Sequence, residues 1–369
     1  MALAIALVLI AVAAVAFHFW SPWWLTPLAS NWGLMDDTLL ITMVITGIVF
    51  VAINLFIAYA IWRFRHRPGH KAAYEPHNKK LEWWLTAITT GGVVAMLAPG
   101  LWAYADLISP PQDAAVVEVV GQQWQWRFRF PGADGKLGLS DVRFIDGNNP
   151  FGVNPNDPNA KDDVLVAGAE LHLPLGKPIK VVQRSLDVLH DFYVPQIRVK
   201  MDMVPGLVSS FWFTPTKTGR FEIMCAEYCG LAHFNMRGHV VIEPEDKFRA
   251  WLSQQHTYAQ SIAPVAAGAA GGGDALAAQG KAIAQSRGCV ACHSIDGKPG
   301  VGPTWKGLYG KTEAMVGGAS VKVDDAYLKE SILQPSAKVV QGYAPVMPAG
   351  AMNDQEVAAV IAYIKGQTQ

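Results

Sequence analysis

The chain reads Cys-Ala-Glu-Tyr-Cys-Gly-Leu-Ala-His-Phe-Asn-Met from Cys225 to Met236, which is its densest cluster of metal-binding side chains. The donors follow the spacing C-x3-C-x3-H-x2-M, and a second imidazole, His190, lies upstream. Thiolate, imidazole and thioether are soft or borderline ligands, which favour copper over magnesium or calcium. Glycine and polar residues between the cysteines predict a loop that lets the donors converge on a metal.

Two other interpretations of the cysteines are open. The first is a disulfide or simple burial, which the short fixed intervals to His233 and Met236 disfavour. The second is zinc, but structural zinc sites are completed by cysteine and histidine without a thioether. The thioether therefore favours copper and a redox role.

The motif resembles the binuclear copper centre, CuA, of cytochrome c oxidase subunit II. In that family two cysteine sulfurs bridge two copper ions, two histidines cap them, and a thioether and a backbone carbonyl complete the set. The resemblance implies the ligands His190, Cys225, Glu227 through its carbonyl, Cys229, His233 and Met236. In that family such a centre transfers electrons and does not form or break bonds of a substrate.

Composition indicates a membrane-anchored protein of two or three domains. The chain has 369 residues, of which only 16% are charged, and its mean hydropathy is +0.19. Basic and acidic residues number 30 each, so nothing indicates nucleic-acid binding. All four cysteines fall in metal or haem motifs, which leaves no disulfide framework.

Two N-terminal regions predict membrane helices. Residues 1–20 are apolar and lack the basic start of a secretory signal, so we favour a retained helix over a cleaved signal. Residues 35–106 predict a transmembrane helical hairpin, and its basic loop, with Arg63 and Arg65, indicates the cytoplasmic side. We therefore expect a multi-pass protein of the bacterial inner membrane, with everything after Ala105 on the periplasmic face.

The segment from His77 to Trp84 reads His-Asn-Lys-Lys-Leu-Glu-Trp-Trp. It resembles the segment of subunit II whose glutamate lies at the cytoplasmic mouth of a proton pathway. The resemblance implies that Glu82 takes up protons. The alternative is an interfacial carboxylate that the positive end of a helix dipole stabilises.

Residues 107–255 predict a β domain. Its β-branched and aromatic runs are bounded by Gly, Pro, Asn and Asp, which is typical of an antiparallel sandwich or barrel. The resemblance implies a cupredoxin-like β-sandwich or barrel with its ligands on loops at one end. The predicted strands cover 116–120, 124–130, 164–166, 170–175, 179–183, 209–213, 219–224 and 239–242.

Alternating tryptophans occur in Gln-Gln-Trp-Gln-Trp, residues 122–126. Such a pattern is often sheet packing. The family has an aromatic cluster here, and the resemblance implies that Trp124 accepts electrons above CuA. Asp187 and Asp202 fit the acidic surface that attracts cytochrome c, but Leu186 stands where many relatives have an acid, so we expect weaker docking of a separate cytochrome.

Residues 256–277 are rich in glycine and alanine and predict a flexible linker. Residues 278–369 follow with Gly-Cys-Val-Ala-Cys-His at 288–293, the C-x-x-C-H signature of covalent haem attachment. Taken alone, the motif could be chance or a thiol-redox site. The later Val-Gly-Pro, Val-Met-Pro and apolar C-terminal helix, 354–364, resemble a small all-α class I cytochrome c.

That second resemblance implies the haem contacts. Cys289 and Cys292 form the thioethers, and His293 and Met347 bind the iron, with Met315 and Met352 as rivals to Met347. The carbonyl of Pro303 accepts from the other ring nitrogen of His293. A methionine ligand raises the haem potential, as an electron carrier needs.

The order of parts resembles subunit II of a caa-type haem–copper oxidase of the respiratory chain. The resemblance implies that an external donor such as cytochrome c reduces the haem, and that electrons pass through CuA to subunit I, which reduces oxygen and pumps protons; other oxidase subunits are further partners. Alternatives are the electron-accepting subunit of a CuA nitric oxide reductase and a membrane-anchored redox carrier or copper-delivery protein without an enzyme partner. Nitrous oxide reductase is disfavoured because a second, histidine-rich copper cluster is missing from the sequence.

Overall fold

The computed structural model describes residues 1–21, 26–71, 74, 76–146, 149–166, 168–262, 273–349 and 352–367. The chain forms two compact units. The first comprises Met1–Ser109 with Gln196–Arg198, and the second comprises Pro110–Pro195 with Val199–Gln369.

The first unit is built on three long helices, α1 (Ala2–Trp20), α2 (Gly33–Arg63) and α3 (Lys79–Leu107). All three are long and apolar enough to cross a membrane. Their leucine, isoleucine and valine side chains are largely exposed around the helices, which is typical of helices that face lipid. The predicted helix at 1–20 and the predicted hairpin at 35–106 are confirmed as helices.

The second unit contains a β-sandwich made of eleven strands in the described residues. They are β1 (Ala115–Gln122), β2 (Gln125–Phe130), β3 (Val164–Val166), β4 (Glu170–Pro174), β5 (Ile179–Ser185), β6 (His190–Val194), β7 (Val199–Met203), β8 (Ser209–Phe213), β9 (Gly219–Cys225), β10 (Arg237–Glu243) and β11 (His256–Thr257). One sheet has the order β11-β3-β2-β1-β5-β8 and the other β4-β10-β9-β6-β7. Aromatic side chains fill the space between them, among them Phe192, Phe211 and Phe213.

The eight predicted strands are confirmed, with ends that move by up to two residues. Three strands were missed. β6 and β7 each carry an aspartate, Asp191 and Asp202, which pair across the ladder. β11 has only two residues and lies within the predicted linker. The prediction of an antiparallel sandwich was wrong in one respect. β1 pairs in parallel with β5, and β10 with β4, so both sheets are mixed. Side-chain alternation does not encode strand direction, which is why the sequence could not indicate this.

A buried ionic cluster ties the first sheet to the long loop between β2 and β3. Arg129 on β2 bonds Glu118 on β1 at 2.5 Å and Asp163 at 2.8 Å, and Arg184 on β5 bonds the second oxygen of Glu118. Glu118, Arg129 and Asp163 are at most 3% exposed. Burial raises the pKa of Asp163 to about 6 even though Arg129 opposes the shift.

The haem-motif domain is helical, with α6 (Gly273–Ser286), α7 (Asp325–Leu333) and α8 (Asp354–Lys365). α6 crosses α8 so closely that a Cβ at Gly280 would lie 1.9 Å from the carbonyl oxygen of Ala359. The domain also carries a short hairpin, β12 (Thr312–Ala314) with β13 (Ser320–Lys322), which the prediction of an all-α domain did not include.

The linker predicted at 256–277 overlaps ordered elements at both ends. After α4 (Glu245–Leu252), β11 pairs with β3, and α5 (Tyr258–Ile262) follows. Tyr258 is buried, and its backbone N–H donates to the carbonyl of Asp163 at 2.7 Å, so this segment packs on the β domain. Residues 273–277 belong to α6 because alanines favour helix. The rest of the predicted linker, 263–272, lies outside the described residues.

Candidate metal centre and haem site

The copper donors lie where β6 and β9 meet. β6 begins at His190 and β9 ends at Cys225, and the register pairs Phe192 with Cys225. The chain then leaves the sheet in a loop, residues 226–236, which we call the copper loop. It returns to the sheet at β10, as the prediction of a loop between the donors requires.

The copper loop brings all six predicted donors together. The Cys225 and Cys229 sulfurs are 3.7 Å apart. Nδ1 of His190 lies 3.8 Å from the Cys225 sulfur, and Nδ1 of His233 lies 3.5 Å from the Cys229 sulfur. The Met236 sulfur is 3.9 Å from Cys229, and the Glu227 carbonyl oxygen is 3.2 Å from Cys225.

This donor set fits copper. Both cysteines are free and buried, and their sulfurs are far beyond the ~2.05 Å of a disulfide bond. One ligand atom each from His190, Cys225 and Cys229 lies within 4.8 Å of the others. Two thiolates, two imidazoles and a thioether around a buried point are donors that copper prefers. The assignment of each residue as a ligand remains a prediction.

The two thiols differ sharply in acidity. Hydrogen bonds from Cys229 and His190 outweigh burial and lower the pKa of Cys225 to about 3. The neighbouring Cys225 and burial raise the pKa of Cys229. The pair therefore loses one proton readily, and the second leaves when a cation takes its place.

Residues next to the donors hold them in position. Asp187 Oδ1 lies 2.8 Å from Nε2 of His190, while its other oxygen accepts from the backbone N–H of Gln123 at 2.7 Å. Burial lowers the pKa of His190, but hydrogen bonds to Asp187 and Cys225 outweigh burial and raise it overall. A carboxylate that orients a metal-binding histidine is the usual arrangement. Sequence reasoning assigned Asp187 only to an acidic surface; its position three residues before His190 was the available signal.

Trp124 lies against the copper loop. Its indole N–H donates to the carbonyl of Cys229 at 3.1 Å, and the Gln123 side chain donates to the same oxygen at 2.8 Å. Trp124 is 9% exposed. Gly230 leaves room for this contact, because a Cβ there would lie 2.9 Å from the Gln123 amide nitrogen.

The residues predicted to contact the haem line one cavity of about 500 Å³. Cys289, Cys292, His293, Pro303 and Met347 all line it. Nδ1 of His293 lies 2.7 Å from the Pro303 carbonyl oxygen, as predicted, and the ring stacks on Trp305. Burial lowers the pKa of His293 and so favours the neutral imidazole that binds metals. The residues therefore fit a covalently held haem.

The three candidate methionines lie in different places. Met347 and Met352 line the cavity, and Met352 also packs partly against the domain core. Met315 is buried in that core, where its sulfur lies 4.0 Å from the Tyr327 hydroxyl. Met315 is therefore the weakest of the three candidates for iron binding.

Glu82 lies in the first turn of α3 and is exposed. The Asn78 side chain caps this helix by accepting from the N–H of Leu81 at 3.1 Å. The position suits the alternative interpretation, a carboxylate near a helix N-terminus. Proton uptake at Glu82 remains a prediction.

Two family models match the chain, cytochrome c oxidase subunit II, periplasmic domain, at residues 115–244 and cytochrome c at residues 277–368. An alternative cytochrome c oxidase subunit 2 of Bradyrhizobium diazoefficiens is 57% identical over 259 residues, which cover 70% of this chain and 94% of that protein. A cytochrome c oxidase subunit 2 of Alkalihalophilus pseudofirmus is 22% identical over 338 residues, 89% of this chain and 86% of that protein. A solved structure, the periplasmic domain of subunit II of the Bradyrhizobium japonicum cytochrome oxidase, is 27% identical to this chain. The match covers 39% of this chain and 94% of the solved chain, with a TM-score of 0.29.

The chain combines apolar N-terminal helices, a cupredoxin-like β domain and a helical cytochrome c domain. The chain belongs to the cytochrome c oxidase subunit II family, and it carries a fused cytochrome c domain. These two domain families imply copper and haem c.

Proposed function

We propose that this chain is the electron-accepting subunit of a caa-type cytochrome c oxidase, a proton-pumping enzyme of the bacterial respiratory chain. The cytochrome c domain receives electrons from an external donor such as cytochrome c. The copper domain hands them to subunit I, where oxygen is reduced. Bound haem c and a two-copper CuA centre supply the one-electron exchange.

One observation carries the proposal: two buried free thiols 3.7 Å apart are surrounded by two imidazoles, a thioether and a carbonyl at the end of a rigid sandwich. A haem-attachment motif lies in the same compact unit. A structural zinc site also pairs thiolates but takes no thioether, and a bond-making site needs an open position for substrate. The closed, sulfur-rich set suits electron relay.

The chain's own residues keep the copper site rigid. Asp187 fixes the ring of His190, and Gln123 and Trp124 both hold the carbonyl of Cys229. His190 and Met236 are 0% exposed, so water is kept from these two donors. Donors held in this way move little when the charge of the site changes.

The remaining parts supply anchoring and topology. We propose that α1 is retained and that α1, α2 and α3 span the inner membrane, with the basic loop after Arg63 on the cytoplasmic side. The copper and haem domains then lie in the periplasm. Glu82, in the first turn of α3, takes up protons from the cytoplasm. Subunit I and the other oxidase subunits are the partners in the membrane.

Purification of the tagged full chain from membranes tests this function. We expect subunit I to co-purify in equal amount, and the complex to consume oxygen when a reduced cytochrome c is supplied. Variant Cys289→Ser, which lacks one thioether sulfur, is expected to retain subunit I and lose haem-dependent oxygen consumption. A chain that purifies alone, or a complex that reduces nitric oxide and not oxygen, would contradict the proposal.

A further inference from the structure

The ring of His293, the predicted iron ligand, stacks on the indole of Trp305. The two ring centroids are 5.2 Å apart and the ring planes are inclined by only 15°, an arrangement that aromatic pairs favour. Trp305 is 4% exposed and belongs to the core of the haem-motif domain. It also lines the haem cavity together with His293. A buried aromatic face therefore lies against the ring that is predicted to bind the iron.

The surrounding chain holds the indole in this place. The backbone N–H of Trp305 donates to the carbonyl of Ser294, the residue after His293, at 2.7 Å. The hydroxyl of Thr304 donates to the same carbonyl at 3.0 Å. Tyr363 of α8 packs on the indole in an edge-to-face arrangement, with ring centroids 6.0 Å apart. The loop after the haem motif and the C-terminal helix therefore both fix Trp305.

The stacked indole restricts the one rotation of His293 that its hydrogen bond leaves free. Nδ1 of His293 lies 2.7 Å from the Pro303 carbonyl oxygen, which leaves Nε2 as the nitrogen for the metal. A single hydrogen bond fixes the direction of one ring nitrogen but allows the ring plane to turn about that direction. Because the indole lies nearly parallel to the ring, such a turn would drive the ring edge into Trp305.

The contact also acts on charge. An imidazole bound to ferric iron carries more positive charge than one bound to ferrous iron. The face of an aromatic ring is negative, and tryptophan attracts a positive group more strongly than tyrosine or phenylalanine does. Since Trp305 is shielded from water, this attraction is weakly screened. It stabilises the oxidised haem relative to the reduced haem, which opposes the effect of a methionine ligand.

We propose that Trp305 is a positioning residue for His293, which fixes the plane of the imidazole and lowers the reduction potential of the haem. The proposal rests on the proposed function, in which the haem passes electrons on to copper. A lower potential makes the haem a better electron donor. Trp305 therefore balances Met347, the predicted ligand that raises the potential.

Redox titration of the haem c absorption band in the complete oxidase complex tests this role. At a fixed ambient potential near the wild-type midpoint, we expect the ratio of reduced to oxidised haem to rise about fivefold in Trp305→Leu. Trp305→Phe keeps a weaker aromatic face, so its ratio is expected to rise by a smaller factor. The low-spin ferric resonance of the haem, which depends on the imidazole plane, is expected to shift in Trp305→Leu and to stay near wild type in Trp305→Phe.

Leu308→Ala is the matched control. Leu308 is 8% exposed, lines the same cavity and packs in the same core. Both Trp305→Leu and Leu308→Ala remove core volume, and water that enters the cavity stabilises the charged, oxidised haem. A purely structural role therefore predicts a ratio that stays equal or falls, and we expect this result for Leu308→Ala.

A ratio in Trp305→Leu that is equal to or below that of the wild type, with haem bound, overturns the proposal. An equal rise in Leu308→Ala also overturns it, because the rise then follows from lost volume and not from the lost indole. If Trp305→Leu does not assemble, the direction of the change in Trp305→Phe decides between the two outcomes. Subunit I and copper are measured on the same samples, and their absence from a chain with bound haem contradicts the proposed function alone.

Discussion

The indole N–H of Trp124 donates a hydrogen bond to the carbonyl oxygen of Cys229 at 3.1 Å. This bond joins the start of the second β-strand to the copper loop, over a sequence separation of 105 residues. It places a large aromatic ring directly against the backbone of a predicted copper ligand. The predicted electron-accepting role of Trp124 is therefore compatible with its position.

Trp124→Phe keeps an aromatic ring but removes the donor. Gln123 still donates to the same carbonyl, so we expect a loss of only about 1 kcal/mol in the free energy of unfolding. The copper spectrum should stay near wild type while single-turnover reduction of copper slows. Stopped-flow spectroscopy measures this, with Trp212→Phe on β8 as control. An unchanged reduction rate would remove Trp124 from the electron path.

Asp187→Asn tests the orientation of His190. The variant loses the negative charge that pairs with the ring at 2.8 Å. Substitution of a residue that orients a metal-binding histidine typically lowers metal affinity by about 10–100-fold. Competition with a copper chelator measures that affinity, and Asp113→Asn, at an exposed position, is the control. Equal affinities in the two variants would show that Asp187 does not position the ligand.

Gly302→Ala tests the bond between His293 and Pro303. A Cβ at residue 302 would lie 2.7 Å from Cε1 of the His293 ring, so the ring must move. Haem should still attach through Cys289 and Cys292, but the low-spin absorption spectrum should weaken or shift. Gly366→Ala, where a Cβ approaches only carbonyl oxygens at 3.3 Å and beyond, serves as control. A wild-type spectrum in Gly302→Ala would contradict the predicted axial role of His293.

Asp163 predicts a pH dependence of stability. Its pKa is raised from 3.8 to about 6 in the folded protein, so the folded state holds this proton more tightly than the unfolded chain. The contribution of Asp163 to the free energy of unfolding is therefore largest below about pH 4. It falls by about 3 kcal/mol as the pH rises to about 6. Asp163→Asn should flatten the dependence of unfolding on pH across this window. If the free energy of unfolding of Asp163→Asn depends on pH as steeply as that of the wild type, a group other than Asp163 causes the dependence.

Short-range patterns in the sequence predicted much of the site and the fold. The donors from Cys225 to Met236 converge because they lie on one loop and on the strand end that precedes it, and α8 forms where the apolar periodicity predicts a helix. His190 could be added only through the family resemblance, since no spacing rule links it to Cys225. Its strand was missed because Asp191, a buried acid, interrupts the apolar alternation.

Contacts between residues far apart in the chain could not be predicted from the sequence. The Asp187–His190 and Gln123–Cys229 bonds depend on how strands pair, and the parallel pairing of β1 with β5 leaves no local signal. The start of the predicted linker was wrong because Tyr258 buries its ring against the β domain, among residues whose composition resembles a tether. Tertiary packing, and not composition, sets that boundary.

We propose that Cys225 and Cys229 hold two copper ions in a chain that also binds haem c. The most direct test of this proposal is electron paramagnetic resonance with metal analysis of the full chain in its complex, wild type and Cys229→Ser. We predict two copper ions per chain in the wild type, a mixed-valence two-copper signal beside a low-spin haem, and loss of the copper signal alone in the variant. A single-copper signal, or a wild-type chain without copper, would contradict the account.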